Sequence, residues 1–413
     1  MSWQDYFTQD NHGNVGGYKD KNVVKLPDNL PMPPTKYFSG MFYGCKQLKD
    51  ISALAKWDVS NVESMDEMFV NCESLKDISA LVNWNVSNVN DMREMFNCCR
   101  QLKYITALTK WDVSKVESMI CMFNECEQLQ DLNALTNWNT SNVVDMSVMF
   151  ADCHSLKDIS ALANWDVSNV NDMHHMFYRC KRLQDITALS SWDTSKVNDM
   201  NDMFTGCRCL EAITALTKWD VSSVTTMCNL FKKCRKLQDI SALASWNTSK
   251  VTDMDHMFHN CGCLQDISAL ANWNVSNVKY MNKMFAWCRD LEDITPLAKW
   301  DTSNVTDMYA MFYYCHHLKD ITALSNWNIN KVTDINRILY QCDKTLDLTP
   351  LLKKLDNRSE PSLNDSTAMF CQEFNELKAH ITRLEEKIIE LTNITKRQQQ
   401  EKTTRWYQTI IGY

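Results

Sequence analysis

Residues 48–72 read LKDISALAKWDVSNVESMDEMFVNC. This unit returns every 27 residues, and its tryptophan forms one unbroken series: Trp57, Trp84, Trp111, Trp138, Trp165, Trp192, Trp219, Trp246, Trp273, Trp300 and Trp327. Such fixed spacing is typical of a solenoid, in which similar units stack in one direction and each packs only against its neighbours. The length of 413 residues is therefore expected to reflect the number of repeats rather than the number of globular domains.

The second half of each unit predicts a short helix. Met65, Met68, Phe69 and Cys72 are apolar at the spacing of one face of a two-turn helix. The column that begins at Ser64 holds a good N-cap residue in ten of eleven units, which places the predicted start of that helix.

The first half of each unit predicts two brief strands. Residues 50–54 and 58–62 are short, alternating or rich in β-branched side chains, with a turn between them. A strand that returns through a helix to a parallel strand coils to the right. The fold class predicted is therefore an α/β solenoid, a right-handed superhelix of about 11–12 turns, followed by a C-terminal coiled-coil helix.

The ends depart from the repeat and set the predicted domain boundaries. We expect an N-terminal cap over 1–37, the solenoid over 38–352, a linker over 353–365, a coiled-coil helix over 366–402 and an apolar tail over 403–413.

The C-terminal helix carries a heptad seam. Phe374, Ile381 and Ile388 occupy position a, and Leu377, Leu384 and Leu391 occupy position d. This arrangement favours a parallel two-stranded coil, with a trimer as the second choice, so residues 370–391 predict a homodimer. The alternative is that this helix folds back over the open end of the solenoid.

Twelve of the eighteen cysteines share one column of the repeat, from Cys45 to Cys342. A free thiol packs like a small apolar side chain, so we predict a buried column of reduced cysteines. An oxidised ladder between neighbouring turns is the rival interpretation. Structural zinc is not expected, because the close cysteine pairs lack CxxC spacing and histidine companions.

The repeat string, L-x-D-I-x-A-L-x-x-W-D/N-V/T-S followed by M-x-x-M-F-x-x-C, resembles the BspA-like leucine-rich repeat family over about residues 38–348. The resemblance implies a leucine-rich-repeat-type solenoid and a role in protein–protein interaction, and it supplies no catalytic residue. It also suggests the alternative of a surface or virion-associated adhesion protein that binds host glycans or receptors. The chain differs from the bacterial pattern in its added A-L-x-x-W segment and in lacking an export signal at its start.

Composition narrows the remaining functions. The net charge of −8 favours neither nucleic acid nor membrane as a partner, and no apolar stretch is long enough to span a bilayer. An intracellular, cytoplasmic or virion-associated protein is therefore expected, with unknown protein partners. No catalytic motif and no cofactor-binding or metal-binding motif is present, so we predict a non-enzymatic scaffold without cofactors.

Two surface features remain as candidates. The Asp58 column alternates Asp with Asn, which predicts Asx turns, with a calcium ladder as the alternative. The variable positions after each column cysteine carry a basic edge that predicts an interaction surface: Lys46, Arg100, Lys181, Arg182, Arg208, Lys232, Lys233, Arg235, Lys236 and Arg289.

Overall fold

The structure, a computed structural model, describes residues 2–10, 14–343 and 345–356, together with Lys387, Thr392 and Ile394. The chain divides into two units, Met1–Arg358 and Ser359–Tyr413. In the second unit the three described residues are helical. The predicted linker beyond residue 356, the six seam residues of the coiled coil and the apolar tail lie outside the described residues.

A short hairpin stands at the start of the first unit. A 3-10 helix, Trp3–Asp5, precedes strands β1 (Phe7–Gln9) and β2 (Val15–Tyr18), which pair antiparallel. The Phe7 ring is buried, 6.0 Å from the ring of Phe42 and 6.2 Å from that of Trp57. The hairpin therefore covers the aromatic core of the first coil.

Eleven 3-10 helices mark the successive coils of the solenoid: Ser52–Lys56, Ser79–Leu81, Thr106–Leu108, Asn133–Leu135, Ser160–Asn164, Thr187–Ser191, Thr214–Lys218, Ser241–Ser245, Ser268–Leu270, Thr295–Lys299 and Thr322–Asn326. They occupy the place of the first predicted strand, so that prediction is wrong. The backbone N–H of Ser52 donates to Asp50 Oδ1 at 2.8 Å, and the N–H of Leu54 donates to the Ile51 carbonyl at 2.9 Å. These local hydrogen bonds replace the ladder that a strand would need.

The predicted two-turn helix over residues 65–72 is also wrong. The N–H of Met68 donates to the carbonyl of Met65 and that of Cys72 to the carbonyl of Phe69, at 3.3 and 3.0 Å, which closes two consecutive four-residue turns. Apolar residues at the first and last positions of two such turns have the same spacing as one face of a helix. The periodicity therefore could not distinguish the two structures.

Backbone dihedral angles confirm that these residues form turns. The third residue of each turn, Glu67 and Asn71 in this coil, has φ of 55° and 60°. A positive φ at this position is typical of a type II turn and is foreign to a right-handed helix. The N–H of Glu67 donates to the Arg93 carbonyl of the next coil at 2.8 Å, so alternate residues join adjacent coils.

Parallel pairing occurs one residue before this double turn. Ser64 and Asp91 form a parallel bridge, and the bridges continue coil by coil to Asp334. Most of the predicted N-cap side chains do make a cap-like hydrogen bond; Asp91 Oδ1, for example, accepts from the N–H of Arg93 at 3.1 Å. They begin a turn instead of a helix. The second predicted strand, residues 58–62, is likewise a turn, closed by a 2.9 Å bond from the N–H of Val62 to the Val59 carbonyl.

Two aromatic columns run through the core beside its columns of Leu, Ile, Val and Met. The series tryptophans are 1–6% exposed, and each indole Nε1 donates to a leucine carbonyl of the preceding coil at 2.8–3.2 Å. Phenylalanine rings stack from Phe42 to Phe312 with centroids 5.4–5.8 Å apart. Identical side chains in register therefore form continuous ladders, as expected of a solenoid.

The cysteine column is buried, as predicted, except for Cys342, which is part-exposed. From Cys72 onward each thiol lies 3.1–3.3 Å from the phenylalanine carbonyl of the preceding coil and donates to it. All cysteines of the column are free thiols. The thiols therefore hydrogen-bond adjacent coils as well as filling space.

The Asp58 column forms the predicted Asx turns. In all eleven coils its side-chain oxygen accepts a hydrogen bond from the backbone N–H two residues later, at 2.9–3.2 Å. Asn serves as well as Asp because the acceptor oxygen alone is needed.

Helix α1, Thr349–Asp356, follows the last coil and contacts the final 3-10 helix. Leu351 is buried. The boundary predicted at residue 352 therefore falls inside this helix. The right-handed sense of the coil stays a prediction. Among the described residues no helix is long and apolar enough to cross a membrane.

Candidate interaction face

The double turns present the variable surface of the solenoid. We call the four positions of each double turn that vary between coils the variable face: Asp66, Glu67, Val70 and Asn71 in the first complete unit, of which Val70 is itself buried, and the residues 27 positions further in each later one. Their neighbours Met65, Met68, Phe69 and Cys72 are fully buried. The interior is thus nearly constant, whereas the variable face differs in every coil.

The backbone of this face restricts which residues it favours. Twenty-one non-glycine residues have φ between 52° and 65°, and all of them lie at the third position of a turn. Gly and Asn suit this conformation, whereas β-branched and large side chains are unusual there. The chain nevertheless places Val148, Arg179, Lys233, Trp287 and Tyr314 at such positions. Backbone preference does not explain these side chains.

An aromatic patch occupies the C-terminal part of the face; it consists of Trp287, Tyr309, Tyr313, Tyr314 and Tyr340. The Trp287 and Tyr314 rings stack with centroids 4.1 Å apart. Tyr313 lies 4.5 Å from Tyr314 and stacks on Tyr340 at 5.5 Å. All five side chains are part-exposed or exposed.

Cationic side chains border this patch. The Arg289 guanidinium lies 5.3 Å from the Trp287 ring centroid, and that of Arg337 lies 5.6 Å from the Tyr340 ring. The ammonium of Lys283 lies 5.0 Å from the Tyr309 ring. These are cation–π distances, and the stems of the basic residues extend the apolar surface.

Half-buried titratable groups lie on the preceding coils of the face. Burial lowers the pKa of His256 to about 4 and that of His259 to about 3, with the ammonium of Lys232 contributing to both shifts. Burial, with the carboxylate of Asp253, raises the pKa of Asp255 to about 7. At neutral pH both histidines are therefore neutral, and Asp255 is partly protonated.

Three residues of the predicted basic edge are neutralised by neighbouring coils. Lys46 pairs with Glu73 at 3.0 Å, Arg100 with Glu125 at 2.7 Å, and Lys236 with Glu211 at 3.0 Å. Of the remaining predicted residues, Arg289 lies on the aromatic patch, and Lys232 Nζ donates to Asn229 Oδ1 at 2.8 Å. Like Arg289 and Lys232, the other five form no ion pair with a described residue: Lys181, Arg182, Arg208, Lys233 and Arg235. They lie in three consecutive coils.

One group of side chains has the composition of a metal site. Asp172, His174 and Asp199 lie in adjacent coils at the start of the double turn, with one possible ligand atom of each within 4.8 Å of the others. Sequence reasoning missed this group for two reasons. Asp199 is 25 residues or more from the other two members, and Asp172 and His174 belong to an ordinary Asx pattern.

Sequence reasoning also missed the aromatic patch. Its members stand outside the tryptophan and phenylalanine columns, so they contribute nothing to the periodicity. The signal that could have found them was the accumulation of Trp and Tyr at variable positions of three successive units.

The repeats define the class of protein. The chain belongs to the family described as "Mycoplasma protein of unknown function, DUF285", whose pattern matches residues 36–160, 102–208, 184–269 and 238–351. This match confirms the resemblance to BspA-like leucine-rich repeats.

Two solved structures are similar to the chain. One is a leucine-rich cell-surface protein from Faecalibacterium prausnitzii A2-165, at 18% identity and a TM-score of 0.38, with 76% of this chain and 91% of that chain covered. The other is a leucine-rich repeat protein from Bacteroides ovatus ATCC 8483, at 15% identity and a TM-score of 0.36, with the same coverage. No curated protein sequence matches the chain significantly.

Proposed function

We propose that the protein is a non-enzymatic interaction scaffold that binds another protein through the variable face. The observation that carries this proposal is the set of large side chains held at positive φ. Each costs roughly 1–2 kcal/mol relative to a residue that accepts this conformation. Retaining Trp287, Tyr314 and Lys233 at such positions is expected only if their side chains contribute something other than folding.

The composition of the aromatic patch supports a protein partner. Trp, Tyr and Arg dominate the binding energy of protein interfaces, where they cluster near the centre. Trp287, Tyr314 and Arg289 combine these three types within one stack of coils. The unpaired basic residues of the three earlier coils, Lys181 to Arg235, would then favour an acidic region of the same partner.

The experiment compares two sets of aromatic truncations. The triple variant Trp287→Ala, Tyr313→Ala, Tyr314→Ala removes the centre of the patch. Tyr104→Ala is the matched control, because Tyr104 is also exposed beside a cation, Lys103 at 4.9 Å, but lies before a 3-10 helix and away from the variable face. In quantitative pull-downs from cells of the source, the triple variant is expected to lose at least nine-tenths of the specific partner. Equal loss in Tyr104→Ala, or no loss in the triple variant, would contradict the proposal.

A second candidate is a surface or virion-associated adhesin that binds glycans. The stacked, part-exposed rings of Trp287 and Tyr314 are the observation that favours it. A glycan array probed with the wild type and the triple variant separates the two functions. Binding of defined glycans that disappears in the variant would support the adhesin.

We further propose that residues 370–391 dimerise the chain through the heptad seam, an interpretation supported by the spacing of Ile and Leu. Light scattering on full-length protein tests it. The substitution Leu384→Asp is expected to halve the mass observed for the wild type, and an unchanged mass would refute the dimer.

A further inference from the structure

We propose that Asp172, His174 and Asp199 bind a divalent transition-metal ion of the Zn²⁺ type at the edge of the variable face, where the bridge column that begins at Ser64 precedes the double turn. The inference adds a ligand site to the proposed scaffold and does not depend on its partner. No catalytic step is assigned to the site.

The distances between the donor atoms suit such an ion. One ligand atom from each side chain lies within 4.8 Å of the other two, and His174 Nδ1 is 2.7 Å from Asp172 Oδ1. Zinc bonds to nitrogen and oxygen are about 2.0–2.2 Å long, so ligands of a tetrahedral ion lie roughly 3.4 Å apart. Small rotations of the side chains therefore bring all three donors into range.

The backbone holds the two carboxylates in place. Asp172 and Asp199 are partners in a parallel bridge, and the N–H of Met173 donates to the Asp199 carbonyl at 3.1 Å. Each carboxylate is oriented by an Asx hydrogen bond to Oδ1, from the N–H of His174 at 2.9 Å and from that of Asn201 at 2.8 Å. Preorganised ligands lose little conformational entropy on binding an ion.

The composition of this place in the array is unusual. In the column that begins at Ser64, the one run of three consecutive aspartates is Asp145, Asp172 and Asp199, and the only histidine two residues after that column is His174. Carboxylates stacked in adjacent strands repel each other. Neither Asp172 nor Asp199 forms an ion pair with a lysine or arginine among the described residues.

A second histidine lies beside the group. The His175 ring is perpendicular to that of His174, with centroids 5.3 Å apart, and its Nε2 is 3.7 Å from Asp202. His175 Nδ1 is buried and has no hydrogen-bond partner among the described residues. The Asp202 carboxylate and the His175 imidazole thus lie beside the three proposed ligands.

The type of donor determines the class of metal. One imidazole with two carboxylates suits Zn²⁺, Mn²⁺, Co²⁺ or Fe²⁺, whereas Ca²⁺ and Mg²⁺ prefer sites built entirely from oxygen. The three side chains are part-exposed. Three protein ligands on a part-exposed surface leave coordination positions for water.

Isothermal titration of full-length protein with ZnCl₂ or CoCl₂ tests the site. The exposed thiols are first blocked with N-ethylmaleimide so that cysteine does not compete. His174→Gln and Asp199→Asn each remove one ligand. The matched controls are Asp307→Asn, from the same column as Asp199, and His317→Gln, a histidine 3.5 Å from Asp290 on the surface.

The wild type is expected to bind one Co²⁺ with visible absorption bands of an ordered site, and to bind Ca²⁺ at least tenfold more weakly. His174→Gln and Asp199→Asn are each expected to weaken Zn²⁺ binding at least tenfold, whereas the two controls leave it unchanged. Unchanged binding in both ligand variants would overturn the proposal, as would binding that disappears with His317→Gln. No saturable binding in the wild type would likewise overturn it.

Discussion

Truncating one tryptophan of the core series should destabilise a single region of the solenoid. Trp192 is 3% exposed, its Nε1 donates to the Leu162 carbonyl at 3.1 Å, and its ring stacks on that of Trp219 at 6.2 Å. Trp192→Ala removes the buried ring, which costs about 3–5 kcal/mol. It also leaves the Leu162 carbonyl without its donor, which adds about 1 kcal/mol. We therefore expect a local loss near 5 kcal/mol.

Hydrogen exchange is the appropriate assay because repeat proteins open locally and do not unfold as one unit. A loss of about 5 kcal/mol corresponds to faster exchange by several thousandfold for protected amides of the affected coil. The amide of Phe204, which donates to the Leu230 carbonyl at 3.0 Å, is a suitable reporter. Amides of coils near Trp57 should exchange at the wild-type rate.

Trp287→Ala is the matched control, since Trp287 is part-exposed on the variable face, where its ring stacks on Tyr314 and contacts Tyr313 and Arg289. Its truncation is expected to cost less than about 1.5 kcal/mol, the usual value of an aromatic pair. Equal acceleration in the two variants, or none in Trp192→Ala, would refute the distinction between core column and variable face.

The further predictions concern protonation, backbone strain and thiols. In the folded state Asp255 keeps its proton up to about pH 7, whereas an unfolded Asp releases it near pH 4. The free energy of unfolding of the wild type therefore falls as the pH rises from about 4 to about 7. Urea unfolding should show Asp255→Asn more stable than the wild type at pH 8. Asp193 should contribute the opposite pH dependence, because hydrogen bonds from Ser195 lower its pKa. The stabilisation by the Asp193 carboxylate is present at neutral pH and disappears as the pH falls through that lowered pKa, and Asp193→Asn should remove this dependence. Val148→Asn should raise the local stability measured by hydrogen exchange by about 1 kcal/mol, because the β-branched Val148 has φ of 61°. The same substitution at the exposed Val144 is the control and should have little effect. Burial raises the pKa of the column cysteines, so their eleven buried thiols should react with Ellman's reagent only in denaturant. If far fewer than 18 thiols react in denaturant without reductant, the disulfide ladder is indicated instead.

The repeat and its core were predictable because they depend on period and polarity. The tryptophan and cysteine columns are buried, and the Asp58 column forms Asx turns, as the residue types indicated. A buried column requires only that the same side chain recur in register, and one sequence contains that information.

The local conformation was not predictable from the same pattern. Met65, Met68, Phe69 and Cys72 fit a helix and a pair of turns equally well, and the deciding feature is the positive φ at Glu67 and Asn71. Glu67, Val148 and Ala310 do not indicate that conformation, and glycine occupies only three of the equivalent turn positions, Gly40, Gly44 and Gly206. Hydrogen bonds to the next coil stabilise it, and these appear only when the units stack.

The candidate sites were the least predictable part. The basic edge was visible in sequence, but its pairing with Glu73, Glu125 and Glu211 depends on which coils become neighbours. The stacking of Trp287 on Tyr314 and the meeting of Asp172 with Asp199 depend on the same register.

The central claim is that partners bind the variable face, and site-specific photo-crosslinking tests it most directly. Benzoyl-phenylalanine would replace Tyr313 on the variable face in one protein and the exposed Tyr104 before a 3-10 helix in another. After irradiation in cells of the source, a discrete heteromeric adduct is expected from position 313 and not from position 104. An adduct from position 104 alone, or equal adducts from both, would contradict the assignment of the interaction surface.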